Sequence, residues 1–222
     1  MWIKKINYFF LDLFFPKFCL NCGKPNFYLC SDCLALIEIS NKVLLNTRFL
    51  SSLYFATNYQ NFLVKQLVQK FKYSPFAKEL AKDLALIIIT YLENLEKQPQ
   101  FLKNPQEYLL IPVPLHKKKL KRRGFNQATE IGKIIAGYYS IPFFEYGLEK
   151  ICSTPAQADL SEEERKNNLK NAFACPQPKM IANKKIILFD DIVTTETTIK
   201  ECGRTLKRTG ASQIIGLCLA HA

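Results

Sequence analysis

Three short apolar runs, "EYLLIPVP", "KKIILFD" and "QIIGLCLA", most constrain what this chain can fold into. Each has the length of a strand rather than a helix, and each is nearly all apolar, as strands buried on both faces are. Helical segments lie between them. "NQATEIGKIIAGYY" precedes the second run, and "TIKECGRTLKRTG" precedes the third, with Gly210 just past its end where a left-handed residue closes a helix. Upstream, "NFLVKQLVQKFKY" and "FAKELAKDLALIIITYLENLEK" have helical periodicity: Leu80, Leu84, Ile88, Tyr91 and Leu95 recur at three- and four-residue steps. Pro75 stands between these two helices and Pro99 beyond the second. Strands alternating with helices imply an α/β fold, a mostly parallel sheet flanked by helices. At 222 residues, with 48% hydrophobic and 23% charged residues, the chain has material for one good core and a small appended module, and disorder is excluded.

The appended module is marked by "CLNCGKPNFYLCSDC", two C-x2-C pairs separated by seven residues. Cys19, Cys22, Cys30 and Cys33 can supply four thiolates to a tetrahedral zinc ion, each pair from one tight turn, with Gly23 letting the chain fold back. Such a site has no open coordination position, so its expected role is structural. Reduced pairs without metal, local disulfides and an iron–sulfur cluster are the alternatives. The other cysteines, Cys152, Cys175, Cys202 and Cys218, are scattered and read as small reduced residues. Residues 1–49 are assigned to an N-terminal helix and this zinc module, and 50–222 to the α/β domain. Ile3, Ile6, Phe10 and Leu13 recur at helical spacing in an amphipathic opening segment. Asp12 interrupts its apolar run and no small-residue cleavage site follows. "LALIIITYL" is far shorter than the ~20 residues of a membrane span, so a cytoplasmic protein is expected.

A formal charge of +12 favours a polyanionic partner, be it nucleic acid, a phosphorylated metabolite or an anionic surface. The charge is densest in "LHKKKLKRRGFNQA", where Lys117, Lys118, Lys119, Lys121, Arg122 and Arg123 crowd what reads as a loop with a hinge at Gly124. Contact with a nucleic-acid backbone is one reading, with Phe125 beside it to stack a base of single-stranded DNA. A solvated charged loop is the other. His116 and His221 have no evident chemical partner and read as a surface residue and an incidental one.

The second strand ends in chemistry: "IILFDDIVTTETT" places Asp190 and Asp191 at its carboxyl end, where ligands bind in parallel sheets. Adjacent carboxylates there suit two vicinal ribose hydroxyls and a bound Mg2+. Thr194, Thr195, Thr197 and Thr198 then lead into a helix N-terminus, an arrangement that holds phosphate.

This stretch resembles the motif of type I phosphoribosyltransferases that binds 5-phosphoribosyl 1-diphosphate (PRPP). Over nearly the whole chain the resemblance is to the ComF family, associated with natural transformation. It is carried by "CLNCG" and "CSDC", "KFKY", "IPVPLHKKKLKRRGFNQA", "STPAQADLSEEERKNNLKNAF" and "LKRTGASQIIGLCLA". The resemblance implies that Asp190 and Asp191 contact the ribose hydroxyls and that Thr194 through Thr198 surround the 5′-phosphate. It implies that Arg122 or Arg123 neutralises leaving pyrophosphate, beside Lys119 and Lys121. Thr194 stands where purine-salvage members carry an aspartate, which argues against hypoxanthine or guanine as acceptor.

Glu196 departs from the pattern, which has glycine there. If that glycine serves a positive φ, a β-carbon costs about 1–2 kcal/mol, and a carboxylate near a phosphate dianion adds repulsion of about 1 kcal/mol or more. The expectation is weakened PRPP binding. A Glu196 pointing to solvent from the helix's first turn is the bland alternative. In "TPAQADLSEEERKNNLKNAF", Ser161 and Glu164 form a capping box, leaving Gln157, Arg165 and Asn168 as site or interface candidates. Lys70, Lys72 and Tyr73 match the family but suggest no chemistry. The functional expectation is an accessory protein of DNA uptake with an altered PRPP-type site, meeting single-stranded DNA or a DNA-processing helicase. The alternatives are an active Mg2+-dependent phosphoribosyltransferase with an unidentified acceptor, and a ligand sensor without turnover.

Overall fold

The computed structural model describes residues 16–40, 42–47, 49–73, 77–152 and 171–222. The expected N-terminal helix, the break at Pro75 and the segment carrying Gln157, Ser161, Glu164, Arg165 and Asn168 lie outside the described residues.

After α1 (Ser31–Ala35) come β1 (Val43–Thr47), β2 (Leu50–Asn58), α2 (Phe62–Tyr73) and α3 (Ala81–Glu93). Then follow α4 (Gln100–Lys103), β3 (Tyr108–Pro112), α5 (Lys117–Arg123) and α6 (Gln127–Tyr139). The chain continues through β4 (Glu149–Lys150), β5 (Phe173–Ala174), α7 (Pro178–Ile181), β6 (Lys185–Val193), α8 (Thr197–Arg208) and β7 (Gln213–His221). The three apolar runs are β3, β6 and β7, and they lie side by side. The main sheet has five strands in the order β1-β2-β7-β6-β3, parallel except for the β1–β2 pair, while β4 and β5 form a separate small ladder.

Successive residues of a strand point to opposite faces, so β6 feeds two cores. Ile187 and Phe189 pack with Ile215, Leu217 and Leu219 of β7 against Leu67 and Phe71 of α2, Leu84 and Ile88 of α3, and Ile131 and Ile135 of α6. Ile186 and Leu188 pack on the other face with Ile199, Cys202 and Leu206 of α8. Those α8 residues recur at three- and four-residue steps, the buried stripe of an otherwise polar helix. Cys19, Leu29, Cys30, Cys33 and Ile37 belong to the first core, so the cysteine segment is seated on α2 and α3. "LALIIITYL" lies within α3, with most of its residues buried, and no described helix is long and apolar enough to cross a membrane.

The basic segment is a helix, α5, rather than a loop. His116 caps its start by accepting from Lys118 N–H at Nδ1 (3.3 Å), and Gly124 ends it in the left-handed region at φ 85°. Gly124 is therefore a helix terminator rather than a hinge. The next helix is fixed at its own start. Asn126 accepts from Ala128 N–H (3.2 Å) and donates through Nδ2 to the Val113 carbonyl (3.0 Å), tying α6 to the carboxyl end of β3.

Candidate functional site

β6 does not stop at the acid pair. It runs on to Val193 because β7 continues beside it, Asp190 facing Cys218 and Val193 facing His221 in register. Inside a strand, adjacent side chains leave on opposite faces. Asp191 therefore follows Ile187 and Phe189 toward α2, where its Oδ2 lies 2.6 Å from Lys72 Nζ. This ion pair is largely withdrawn from water, with side-chain exposures of 19% for Lys72 and 12% for Asp191. Burial alone would lower the Lys72 pKa, but the Asp191 charge and hydrogen bond, with the Asp190 charge added, raise it instead. Asp190 lies near Cys202 of α8 and Lys150 of β4, and its Oδ1 accepts from Asp191 N–H (2.9 Å). It borders the threonine turn, and burial together with the Asp191 charge pushes its carboxyl well above the usual range. The two acids are thus unequal, one committed to a lysine and one left facing the turn.

Thr194, Thr195 and Glu196 link β6 to α8 and, with Asp190 and Thr198, line a hollow of about 90 Å³. Glu196 sits at φ 11°, ψ −4°, outside the left-handed region that favours glycine. Its carboxylate neither hangs free nor points only to solvent: Oε2 is 2.7 Å from Lys200 Nζ and Oε1 is 3.8 Å from His221 Nε2. His221, whose ring lies 5.2 Å from that of Phe55, is therefore not incidental, since the end of β7 delivers it to the turn.

The cations of α5 divide by direction. The Arg123 guanidinium stands 5.5 Å from the Tyr73 ring centre, close enough for its charge to act on Lys72. Lys150 has its pKa lowered by burial and then by the charge of Lys119, while Asp190 acts the opposite way. Lys72 and Lys150 thus bear on the acid pair, while Arg123 acts on Lys72 and Lys119 on Lys150. Lys117 turns aside to Glu149 (2.7 Å), and Lys118, Lys121 and Arg122 are exposed to solvent. Phe125, expected to stack a base, packs against Phe71 with ring centres 5.1 Å apart, so its ring serves the core. Lys72 carries no local signal; only its place in "KFKY", at the end of an amphipathic helix, marked it at all.

The four cysteines meet as their spacing required. Their sulfurs all lie within 4.8 Å of one another, three of the four residues are buried, and none is in a disulfide. Cys22 and Cys30 sulfurs are 3.6 Å apart, close to the edge of about 3.8 Å that a tetrahedron of ~2.3 Å Zn–S bonds demands. Gly23 makes the fold-back at φ 74°. Asn21 Nδ2 donates to Cys33 Sγ (3.3 Å). Burial raises the Cys19 pKa, but backbone N–H donors from Cys22, Cys30 and Asn21 outweigh it and bring the thiol down to about 6. This donor set fits a metal such as zinc.

Asp190 has a measurable consequence. Because its folded pKa is raised, the folded chain holds a proton that the unfolded chain releases once pH exceeds the ordinary carboxylate value. Its ionisation therefore erodes stability as pH rises from about 4 through the folded pKa. Asp190→Asn is expected to raise the thermal midpoint near neutral pH, with the gain fading below pH ~4, where both states are protonated. A thermal melt series against pH checks this, and a gain that persists unchanged into acid refutes it.

No family model matches the chain. It is similar to competence protein F of Haemophilus influenzae, at 29% identity over 213 residues covering 94% of this chain and 86% of that protein. It is also similar to the DNA utilization protein YhgH of Salmonella typhi, at 33% over 112 residues, 50% of this chain and 48% of that one. Competence protein ComFC of Streptococcus pneumoniae matches at 29% over 113 residues, again about half of each, 51% and 48%. Among solved structures, an allosteric regulatory enzyme of purine biosynthesis aligns with 64% of this chain and 26% of its own, at 15% identity and a TM-score of 0.39, too slight a likeness to carry weight.

Proposed function

We propose that this chain, similar along 94% of its length to competence protein F, is a ComF-like accessory protein of DNA uptake that holds a ribose-phosphate group at the end of β6 and meets single-stranded DNA or a DNA-processing helicase with its basic surface. The observation that carries this is the buried Lys72–Asp191 ion pair beside Asp190 and the threonine turn, with Arg123 close enough for its charge to act on Lys72. The formal charge of +12 favours a polyanion as the partner. Asp190 faces the threonine turn and accepts from ribose hydroxyls, Asp191 positions Lys72, and the turn's N–H groups at the start of α8 receive the phosphate. The exposed Lys118, Lys121 and Arg122 supply the salt-sensitive contact to a nucleic-acid backbone.

The raised pKa of Asp190 favours a second reading, an active transferase. A carboxyl destabilised by burial and a like charge is relieved by a divalent cation, so Asp190 is the residue that would hold Mg2+ arriving with PRPP. The ion would neutralise charge on the departing diphosphate, with Arg123 beside it.

Glu196 separates the two. Its carboxylate opposes an incoming phosphate by about 1 kcal/mol or more, and Lys200 is spent on it. In calorimetric titration with PRPP and Mg2+, Glu196→Gly is expected to bind at least about tenfold tighter than the unaltered chain. No pyrophosphate release is expected from either. Equal affinities would remove Glu196 from the account, and sustained pyrophosphate release by the unaltered chain would establish the transferase instead.

A further inference from the structure

Beside the acid pair, the outer face of α2 forms an open groove of about 500 Å³ against the cysteine module, lined by Leu20, Gln66, Gln69, Lys70 and Tyr73. We infer that this groove is a stacking track for single-stranded nucleic acid, with Tyr73 as its base platform, leading from the Lys72–Asp191 site toward the metal cluster. The inference rests on the nucleic-acid reading above and adds where the bases go.

Gln66, Gln69, Lys70 and Tyr73 stand at i, i+3, i+4 and i+7, a single stripe of the helix opposite the buried Leu63, Val64, Leu67, Val68 and Phe71. The stripe is about 10 Å long at ~1.5 Å per residue, enough for a few nucleotides of extended strand. Tyr73 is 72% exposed, a large aromatic face in water at the end of the stripe. Arg123 stands 5.5 Å from its ring centre, so the platform is flanked by a cation that can follow a phosphate. Lys70 Nζ lies 5.3 Å from the Tyr28 ring centre on the module side, a second pairing of charge and aromatic face. Aromatic faces flanked by cations and amides are what a single strand needs, since every base has a π-face.

The test uses the full metal-loaded chain in fluorescence anisotropy against a short oligothymidylate, an abasic oligomer of equal length, and a duplex. The unaltered chain is expected to prefer the oligothymidylate to both others. Tyr73→Ala is expected to weaken oligothymidylate about tenfold, leaving the abasic oligomer unchanged, while Tyr73→Phe keeps the affinity. Replacing Lys118, Lys121 and Arg122 together by alanine is expected to weaken all oligomers alike and to flatten the salt dependence. If that triple variant weakens binding but Tyr73→Ala does not, or weakens thymidylate and abasic oligomers equally, the track is overturned and the nucleic-acid reading stands. If the unaltered chain binds no oligonucleotide, both fall.

Discussion

Stripping a bound metal such as zinc from the Cys19, Cys22, Cys30 and Cys33 cluster is expected to destabilise the α/β domain as well as the cysteine segment. Structural zinc contributes apparent binding free energy on the order of 10 kcal/mol, more than the net stability of many domains. Here Cys19, Cys30 and Cys33 are buried in the same apolar cluster as α2 and α3, so a segment that unravels bares the sides of both helices. Chelation, or Cys30→Ser, should therefore lower the thermal midpoint of the whole chain and raise amide exchange in Phe62–Tyr73 and Ala81–Glu93. Cys152→Ser, at an exposed thiol outside the cluster, serves as the control and should change neither. Elemental analysis should find one metal ion per chain. Were exchange to rise only in the cysteine segment, the segment would be an independent passenger on the domain.

Lys72→Met should cost about 3–5 kcal/mol of unfolding free energy, because it strands the Asp191 carboxylate in a largely buried place without its cation. The double variant Lys72→Met, Asp191→Asn should recover most of that loss, since removing both charges leaves nothing to desolvate unpaired. Urea titrations of the singles and the double measure the coupling directly. The pH dependence carries its own signature. The folded pKa of Lys72 is raised, so its contribution is fully present below the ordinary lysine value and is lost as pH climbs through the higher folded one. A deficit below about 1 kcal/mol would mean that the pair behaves like a surface ion pair.

Where local patterning governs, the fold was legible. β3, β6 and β7 announce themselves as apolar runs, α8 ends at the residue before Gly210's turn, and paired C-x2-C turns bring four sulfurs together. β2 was not legible: "LSSLYFATN" carries serines at positions where the sheet, not the pattern, decides burial, and Ser52 is buried there. Nor was the division of labour between the acids. Adjacency in sequence suggested a matched pair, but the strand continues through both and sends Asp191 to a lysine more than a hundred residues earlier. The same reasoning explains the exchange of aromatic candidates. Phe125 stood beside the basic cluster in sequence, yet the core took it, and Tyr73 arrived there from another helix. Glu196 stood out in the sequence, but its neighbours Lys200 and His221 come from a helix turn and a strand end that no spacing rule connects.

The strand order has a consequence for how the chain is made. β7 lies between β2 and β6, although it follows both in the sequence. Until the ribosome has released Gln213–His221, β2 and β6 each present an unpaired edge, and the two halves of the sheet have no ladder between them. The sheet closes in one late step, after synthesis of nearly all that precedes it, and the nascent chain must stay soluble in the meantime. Its excess of lysine and arginine, a net charge of +12, favours keeping those open edges apart while they wait.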